Sequence, residues 1–367
     1  VSDYRRKAQV SITKISVGLL VCLPAIVVPV LAFTQRAVIK KLPGANSIVM
    51  ADFNGDGKQD VAISIRNSIA VMLGNGNGKF REPVYNALFN TPTSIATGDL
   101  NNDGFLDLVT TNFSNQVSVL LGTGEAAFRD VQTYTVTDAH YVAIADFNND
   151  MAKDLVIAND IANTVSILLN SGNGSFGSPM NMPIGNRPHS VACGDFNGDN
   201  NIDIAVASLL ESRLILRLGN GNGTFTDGGF VMVGSFPHHV LSIDLNSDNK
   251  LDLVSADSTN TTISILLGDG MGGFSLSQQP VVGNGPLRVE PGDFNGDTIV
   301  DLVVSNVQSN NVAMLLGNGN GTFGSATNTP AGLGATSLAT GNLDGDTKTD
   351  VVVVNVTANT AVVLLME

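Results

Sequence analysis

Asp52-Phe53-Asn54-Gly55-Asp56-Gly57-Lys58-Gln59-Asp60 is the stretch on which the reading of this chain turns. Acidic or amide side chains stand at the first, third, fifth and ninth positions. The same D-x-N-x-D-x-x-x-D pattern returns from Asp99, Asp146, Asp195, Asp244 and Asp293, and a variant of it starts at Asn342. Successive copies begin 47 to 49 residues apart. A repeat of that length, filled with short β-patterned runs, is the sequence mark of a propeller with one four-stranded blade per repeat. Seven copies therefore predict an all-β chain folded as a seven-bladed β-propeller.

The loop itself supplies hard oxygen ligands at alternate positions, which is how proteins hold calcium. Side chains at positions 1, 3, 5 and 9 and the backbone carbonyl at position 7 form the expected ligand set. In the first loop these are Asp52, Asn54, Asp56, Asp60 and the Lys58 carbonyl. In the second they are Asp99, Asn101, Asp103, Asp107 and the Phe105 carbonyl, and in the third Asp146, Asn148, Asp150, Asp154 and the Ala152 carbonyl. The fourth offers Asp195, Asn197, Asp199, Asp203 and the Asn201 carbonyl; the fifth, Asp244, Asn246, Asp248, Asp252 and the Lys250 carbonyl. The sixth offers Asp293, Asn295, Asp297, Asp301 and the Ile299 carbonyl. In the seventh, Asn342 and Asp344 have exchanged types, and Asp346, Asp350 and the Lys348 carbonyl complete the set. Up to seven structural Ca2+ ions are expected. Position 6 is Gly57 and Gly104 in the first two loops but Met151 in the third, so the third loop is expected to bind most weakly.

Working outward, each acidic loop should join an inner strand to a second strand. A polar turn, a third strand, a Gly/Asn hairpin turn and an outer strand then follow. A Phe marks the outer strand as Phe80, Phe128, Phe176, Phe225, Phe274 and Phe323, and the seventh repeat ends without one. Phe33 precedes Asp52 by the same 19 residues that separate Phe80 from Asp99. The segment from Phe33 to Lys40 is therefore expected to be the fourth strand of the last blade, joining the termini and leaving no open edge.

The net charge of −14 is concentrated: twenty-one of the 33 acidic residues lie in the seven loops, and seven divalent ions would cancel it. An acidic chain of this kind lacks the basic footprint of a nucleic-acid binder. Only Cys22 and Cys193 are present, so no disulfide framework is expected and metal takes the stapling role. Residues 1–32 read as a signal peptide: Arg5, Arg6, Lys7 and Lys14 precede an apolar run from Ile15 to Leu31. The alternative is an uncleaved anchor, for which the run is short of the ~20 residues a span prefers. Residues 33–367 form the expected propeller, and the mature chain is expected to be a monomer.

His140, His189 and His238 each stand six residues before the first loop aspartate of three consecutive repeats, and His239 follows the last. The other repeats place Asn46, Thr93, Leu287 and Thr336 there. The imidazoles are expected near the channel mouth as ligand-face candidates, for a metal or a pH-sensitive ligand, or as solvent-facing turn residues. Arg187, Arg213, Arg217 and Arg288 lie near enough in sequence to form an anion-attracting patch with them. No nucleophile motif, phosphate loop or cofactor fingerprint occurs. With no Trp and four Tyr, aromatic platforms for stacking sugars are scarce.

The run Asp52-Phe53-Asn54-Gly55-Asp56-Gly57, with Leu218-Gly219-Asn220-Gly221-Asn222-Gly223-Thr224-Phe225, resembles the FG-GAP/VCBS repeat. The set is similar to the calcium-bearing propeller of integrin α-chains. The resemblance spans Phe33 to Glu367 and implies a secreted or surface-exposed (or periplasmic) propeller with its ligand on the face opposite the acidic loops. Such repeats serve adhesins, lectin-like proteins and polysaccharide lyases, so the resemblance implies no single task. The expected function is a binding or adhesion module for an extracellular protein or glycan. The alternative is an extracellular carbohydrate-active enzyme, a polysaccharide lyase or sugar dehydratase, using His140, His189, His238 and a nearby arginine.

Overall fold

The structure, a computed structural model, describes residues 31–88, 90–112, 115–129 and 131–367. The expected signal segment up to residue 30, with its basic residues and Cys22, lies outside the described residues. The described chain forms seven antiparallel four-stranded sheets. The first blade runs from inside to outside as Ile48–Ala51, Asp60–Ile65, Ser68–Met72 and Val84–Ala87. Inner strands of neighbouring blades touch one another all the way round, including the first against the last.

The second strands explain why the ring holds. All seven are buried along their full length, for example Asp154–Asn159 and Asp350–Asn355. Their Val, Ile, Leu and Ala side chains are covered on both faces by adjacent blades, so they read as continuous apolar runs rather than as alternating ones. Each large side chain so covered contributes about 1.5–3 kcal/mol.

The last blade orders its strands as Ala335–Gly341, Asp350–Asn355, Thr360–Met366 and then Phe33–Lys40. The register pairs Phe33 with Met366 and Lys40 with Thr360, with a bulge between Gln35 and Ala37. The expected closure of the ring by the N-terminal strand is what the structure contains.

A repeated aromatic contact ties blade to blade. The Phe of one blade's outer hairpin packs on the second residue of the preceding blade's acidic loop: Phe128 on Phe53, Phe225 on Phe147 and Phe274 on Phe196. Phe33 does the same on Phe294, with ring centroids 5.4 Å apart. Where the loop residue is Leu, Phe176 shares a core with Leu100, Phe323 with Leu245 and Phe80 with Leu343. One expectation needs refining. Of the six phenylalanines that mark the outer strands, Phe225 and Phe274 open them, as Phe33 does in the last blade. Phe80, Phe128, Phe176 and Phe323 instead form isolated bridges ahead of the strand.

Candidate functional site

The two faces of the ring differ. Every acidic loop joins an inner strand to a second strand, so all seven lie on one face. In the first loop the backbone wraps round Asp52: the N–H groups of Gly55 and Asp56 donate to its Oδ1 at 2.7 and 3.2 Å. Gly57 donates to its Oδ2 at 2.7 Å. Asn54 Oδ1 accepts from Asp56 N, and Asp56 Oδ1 accepts from Lys58 N. The bond from position 6 to the first aspartate recurs through Gly104, Met151, Asn200, Asn249 and Thr298. These positions adopt left-handed φ, +70° at Met151 and +68° at Thr298. The seventh loop differs: its Asn342 uses Nδ2 to donate to the Asp346 carbonyl, an option no aspartate has.

The ninth-position aspartates are wholly buried anchors. Asp60 accepts from Phe53 N at 3.0 Å and from Gly74 N at 2.7 Å, so it ties its own loop to the next hairpin turn. The same two bonds recur at Asp107, Asp154, Asp203, Asp252, Asp301 and Asp350. Burial pushes these carboxyls up, to about 6 at Asp107 and Asp350, and the other carboxylates of each loop push the same way. Among the described residues no three His, Cys, Asp or Glu side chains already enclose one point as a metal site. The donor set fits a hard cation on chemistry: several oxygens of one loop repel one another, and a cation supplies the missing countercharge.

The opposite face carries the channel mouth, a cavity of about 260 Å³. His140, His189 and His238 all line it, as the sequence spacing suggested. Neighbouring ring centroids are 4.0 and 3.9 Å apart, with planes inclined at 50° and 48°. That tilt matches the rotation of about 51° between successive blades of a seven-fold ring. Each imidazole reaches the next blade: His140 Nδ1 lies 3.2 Å from the His189 carbonyl, His189 Nδ1 3.0 Å from that of His238, and His238 Nδ1 3.1 Å from that of Leu287. Thr93 donates to the His140 carbonyl and Asn46 to the Thr93 carbonyl, so six consecutive blades are linked head to tail by five bonds. Leu287 has no polar group to continue the chain, and Thr336 turns back to Val354 of its own blade.

These residues point round the ring because the inner strand breaks register at them. In six blades the pairing skips one residue, and the skipped residues are Thr93, His140, His189, His238, Leu287 and Thr336. A bulge leaves its extra residue unpaired and re-aims the side chain. A carbonyl can only accept, so each of the three imidazoles carries its hydrogen on Nδ1 and leaves an Nε2 lone pair. Burial holds all three below the ordinary imidazole value, His238 at about 4. For His189 the two neighbouring histidines add to the effect.

The next residue of each inner strand forms a second tier, of which the sequence had singled out only His239 and Arg288: Ser47, Ser94, Tyr141, Ser190, His239, Arg288 and Ser337. Tyr141 Oη lies 3.3 Å from His239 Nε2. Arg288 donates to Glu290 from Nε at 2.7 Å. Burial works against the Arg288 charge, but Glu290 and Tyr141 outweigh it and hold the guanidinium above its usual value. Ser94 Oγ, Ser337 Oγ and His239 Nδ1 are buried with no hydrogen-bond partner. The expected arginine patch does not assemble. Arg187 pairs with Asp160, Arg213 with Glu211 and Arg217 with Asp227 on the outer strand, and only Arg288 lines the cavity.

The family model for the FG-GAP-like repeat matches residues 52–110, 99–157, 146–206, 244–304 and 293–353. No protein of curated function matches the chain. Among solved structures, BBS1N in complex with ARL6DN is similar in its mercury-soaked form, with 12% identity, a TM-score of 0.65 and coverage of 92% of this chain and 97% of that one. Its lead-soaked form gives 12% identity, a TM-score of 0.66 and coverage of 91% and 97%. A protein from Lactobacillus plantarum gives 14% identity, a TM-score of 0.61 and coverage of 81% and 87%. At such identities the likeness is one of fold.

Proposed function

The chain belongs to the FG-GAP-like repeat family, and on that premise we propose that it is a calcium-stabilised binding or adhesion module working outside the cytoplasm. Calcium fixes the loop face. The opposite face meets an extracellular protein or glycan. The loop aspartates and asparagines named above would hold the ions, whose chemistry is charge neutralisation of a crowded carboxylate set.

One observation carries this reading. On the loop face the repeats are nearly alike, as a scaffold requires. At the channel mouth equivalent positions differ: Asn46, Thr93, His140, His189, His238, Leu287 and Thr336 stand at one level. A ring that only had to hold itself together has no use for that asymmetry, whereas a ligand with unlike sides does. The enzyme alternative is not favoured. The imidazoles lie side by side along one arc, with their Nδ1 hydrogens committed to carbonyls.

The test is a screen of the protein against polysaccharides and matrix proteins, with calcium and with chelator. Reproducible capture that disappears on chelation, without turnover, supports the module. Turnover of a bound polysaccharide moves the assignment to the enzyme. Silence from a folded, calcium-responsive protein leaves only a scaffold.

A further inference from the structure

The channel-mouth cavity has a donor and acceptor inventory that selects among ligands. We propose that it binds a neutral, hydroxyl-rich group of one sugar ring's size, seated between the imidazole arc and the serine arc. This deepens the reading of that face as a ligand face and rests on it.

About 260 Å³ lies below the roughly 300–1,000 Å³ of a drug-sized site, so the cavity takes one ring-sized group rather than a long chain. The lining is two-sided. Blades seven, one and two contribute the small residues Ser337, Ser47 and Ser94, which leave volume and offer hydroxyls. The facing blades contribute three imidazoles, Tyr141, His239 and Arg288.

The chemistry then narrows the class. With Nδ1–H directed at a carbonyl, each imidazole of the arc faces a ligand only as an acceptor at Nε2. Ser94 and Ser337 are only 4% exposed, and their Oγ atoms lack any partner and supply donors as well as acceptors. His239 is 5% exposed, and its Nδ1 is likewise unpartnered. Leaving such groups unmade costs their desolvation, and a ligand that completes them recovers it. Hydroxyls both donate and accept, so they match both walls.

An anion fits poorly. Among the described residues Arg288 is the one cation lining the cavity, and it is matched by Glu290 at 2.6 Å. An incoming negative charge would meet imidazole lone pairs and no net positive charge.

The experiment uses the full chain with 15N-labelled histidine, followed by NMR while D-glucose, D-galactose or myo-inositol is added. D-Glucuronate and inorganic phosphate serve as anionic probes. At least one neutral probe is expected to shift the Nε2 signals of His189 and His238 saturably, with the Nδ1–H tautomer retained. His189→Asn keeps a donor for the His238 carbonyl, as Asn46 does for Thr93, but removes the Nε2 acceptor. It is expected to weaken binding at least tenfold with folding intact. Failure of every neutral probe to shift these signals, a response to the anions alone, or undiminished binding by His189→Asn overturns the proposal. Capture of a polysaccharide or protein with the imidazole signals unmoved also overturns it, while leaving the ring a binding module.

Discussion

His189 Nδ1 lies 3.0 Å from the backbone carbonyl of His238, one blade further round the ring. The contact joins two inner strands that share no sheet, and it fixes the proton on the ring nitrogen that faces the carbonyl. The linked histidines are neutral because protonation would place charge in a confined, low-dielectric arc.

The first prediction follows from that neutrality. Burial, then His140, holds His238 at about 4, against 6.5 for a free imidazole. The unfolded chain takes up this proton near pH 6.5 and the folded chain only near pH 4. The stability contribution is therefore complete above about pH 6.5 and is lost as the pH falls toward 4. His238→Asn retains a donor without a titrating group. The stability of the native protein relative to this variant should fall by up to about 3 kcal/mol between pH 7 and pH 4, a ceiling because part of the ring meets the cavity. Denaturant titrations at stepped pH measure it, and a flat difference would contradict a neutral His238.

Asp257 supplies a prediction of opposite sign. It ends a second strand where Asn159, Asn306 and Asn355 end theirs, is fully buried, and accepts from Ser255 Oγ and Ser264 Oγ at 2.8 and 2.7 Å. Burial pushes its carboxyl up to about 6. The folded state keeps this proton where the unfolded state has released it, so stability is present below the unfolded value and lost as the pH rises through 6. Asp257→Asn should stabilise by up to about 3 kcal/mol at pH 7.5 and by little at pH 4. Thermal melts at the two pH values check it, and equal gains at both would exclude the buried charge as their cause.

Ring closure gives the third. Phe33 is 6% exposed and meets the Phe294 ring edge-on. Phe33→Ala should cost about 3–5 kcal/mol, as large-to-small aromatic core changes do. The outer strand it anchors covers Thr360–Met366, so a loosened closure exposes a strand edge and should promote self-association. Denaturation midpoints and light scattering together read this; a loss under ~1 kcal/mol, below the range for such changes, would mean that the strand alone closes the ring.

The fourth concerns the third loop. Met151 holds φ +70° while 85% exposed, so it packs against little and carries backbone strain. Met151→Gly should stabilise by about 1 kcal/mol and tighten calcium uptake at that loop. Thr298, β-branched at φ +68°, should respond at least as strongly to Thr298→Gly. Calorimetric calcium titration of each variant decides. Weaker binding in both would show that the side chains serve the loop.

Much of the molecule was legible in the chain. The spacing of the aspartates set the blade count, and the equal distance from Phe33 to Asp52 and from Phe80 to Asp99 set the closure. Both are periodic features, and a repeat writes its period into sequence. The three histidines were legible as a set for the same reason. Arg187, Arg213 and Arg217 were misplaced because their partners Asp160, Glu211 and Asp227 are chosen by local turn and strand geometry, not by the repeat. In the second tier His239 and Arg288 were singled out, but Ser94, Tyr141 and Ser337 passed unnoticed, since a serine or tyrosine in a strand carries no repeat signature of its own.

The sequence by itself determined what is local and repeated: seven acidic loops, seven apolar second strands, and a first strand belonging to the last blade. Only the tertiary structure decided which way the unlike residues face. A one-residue register shift at His140, His189 and His238 turns them off the sheet and toward the next blade. That shift becomes a linked arc only when the ring brings residues 49 apart within hydrogen-bond reach. Side-chain direction in a bulge depends on pairing with a partner strand, and contact across blades depends on closure. Neither exists until the whole chain has folded.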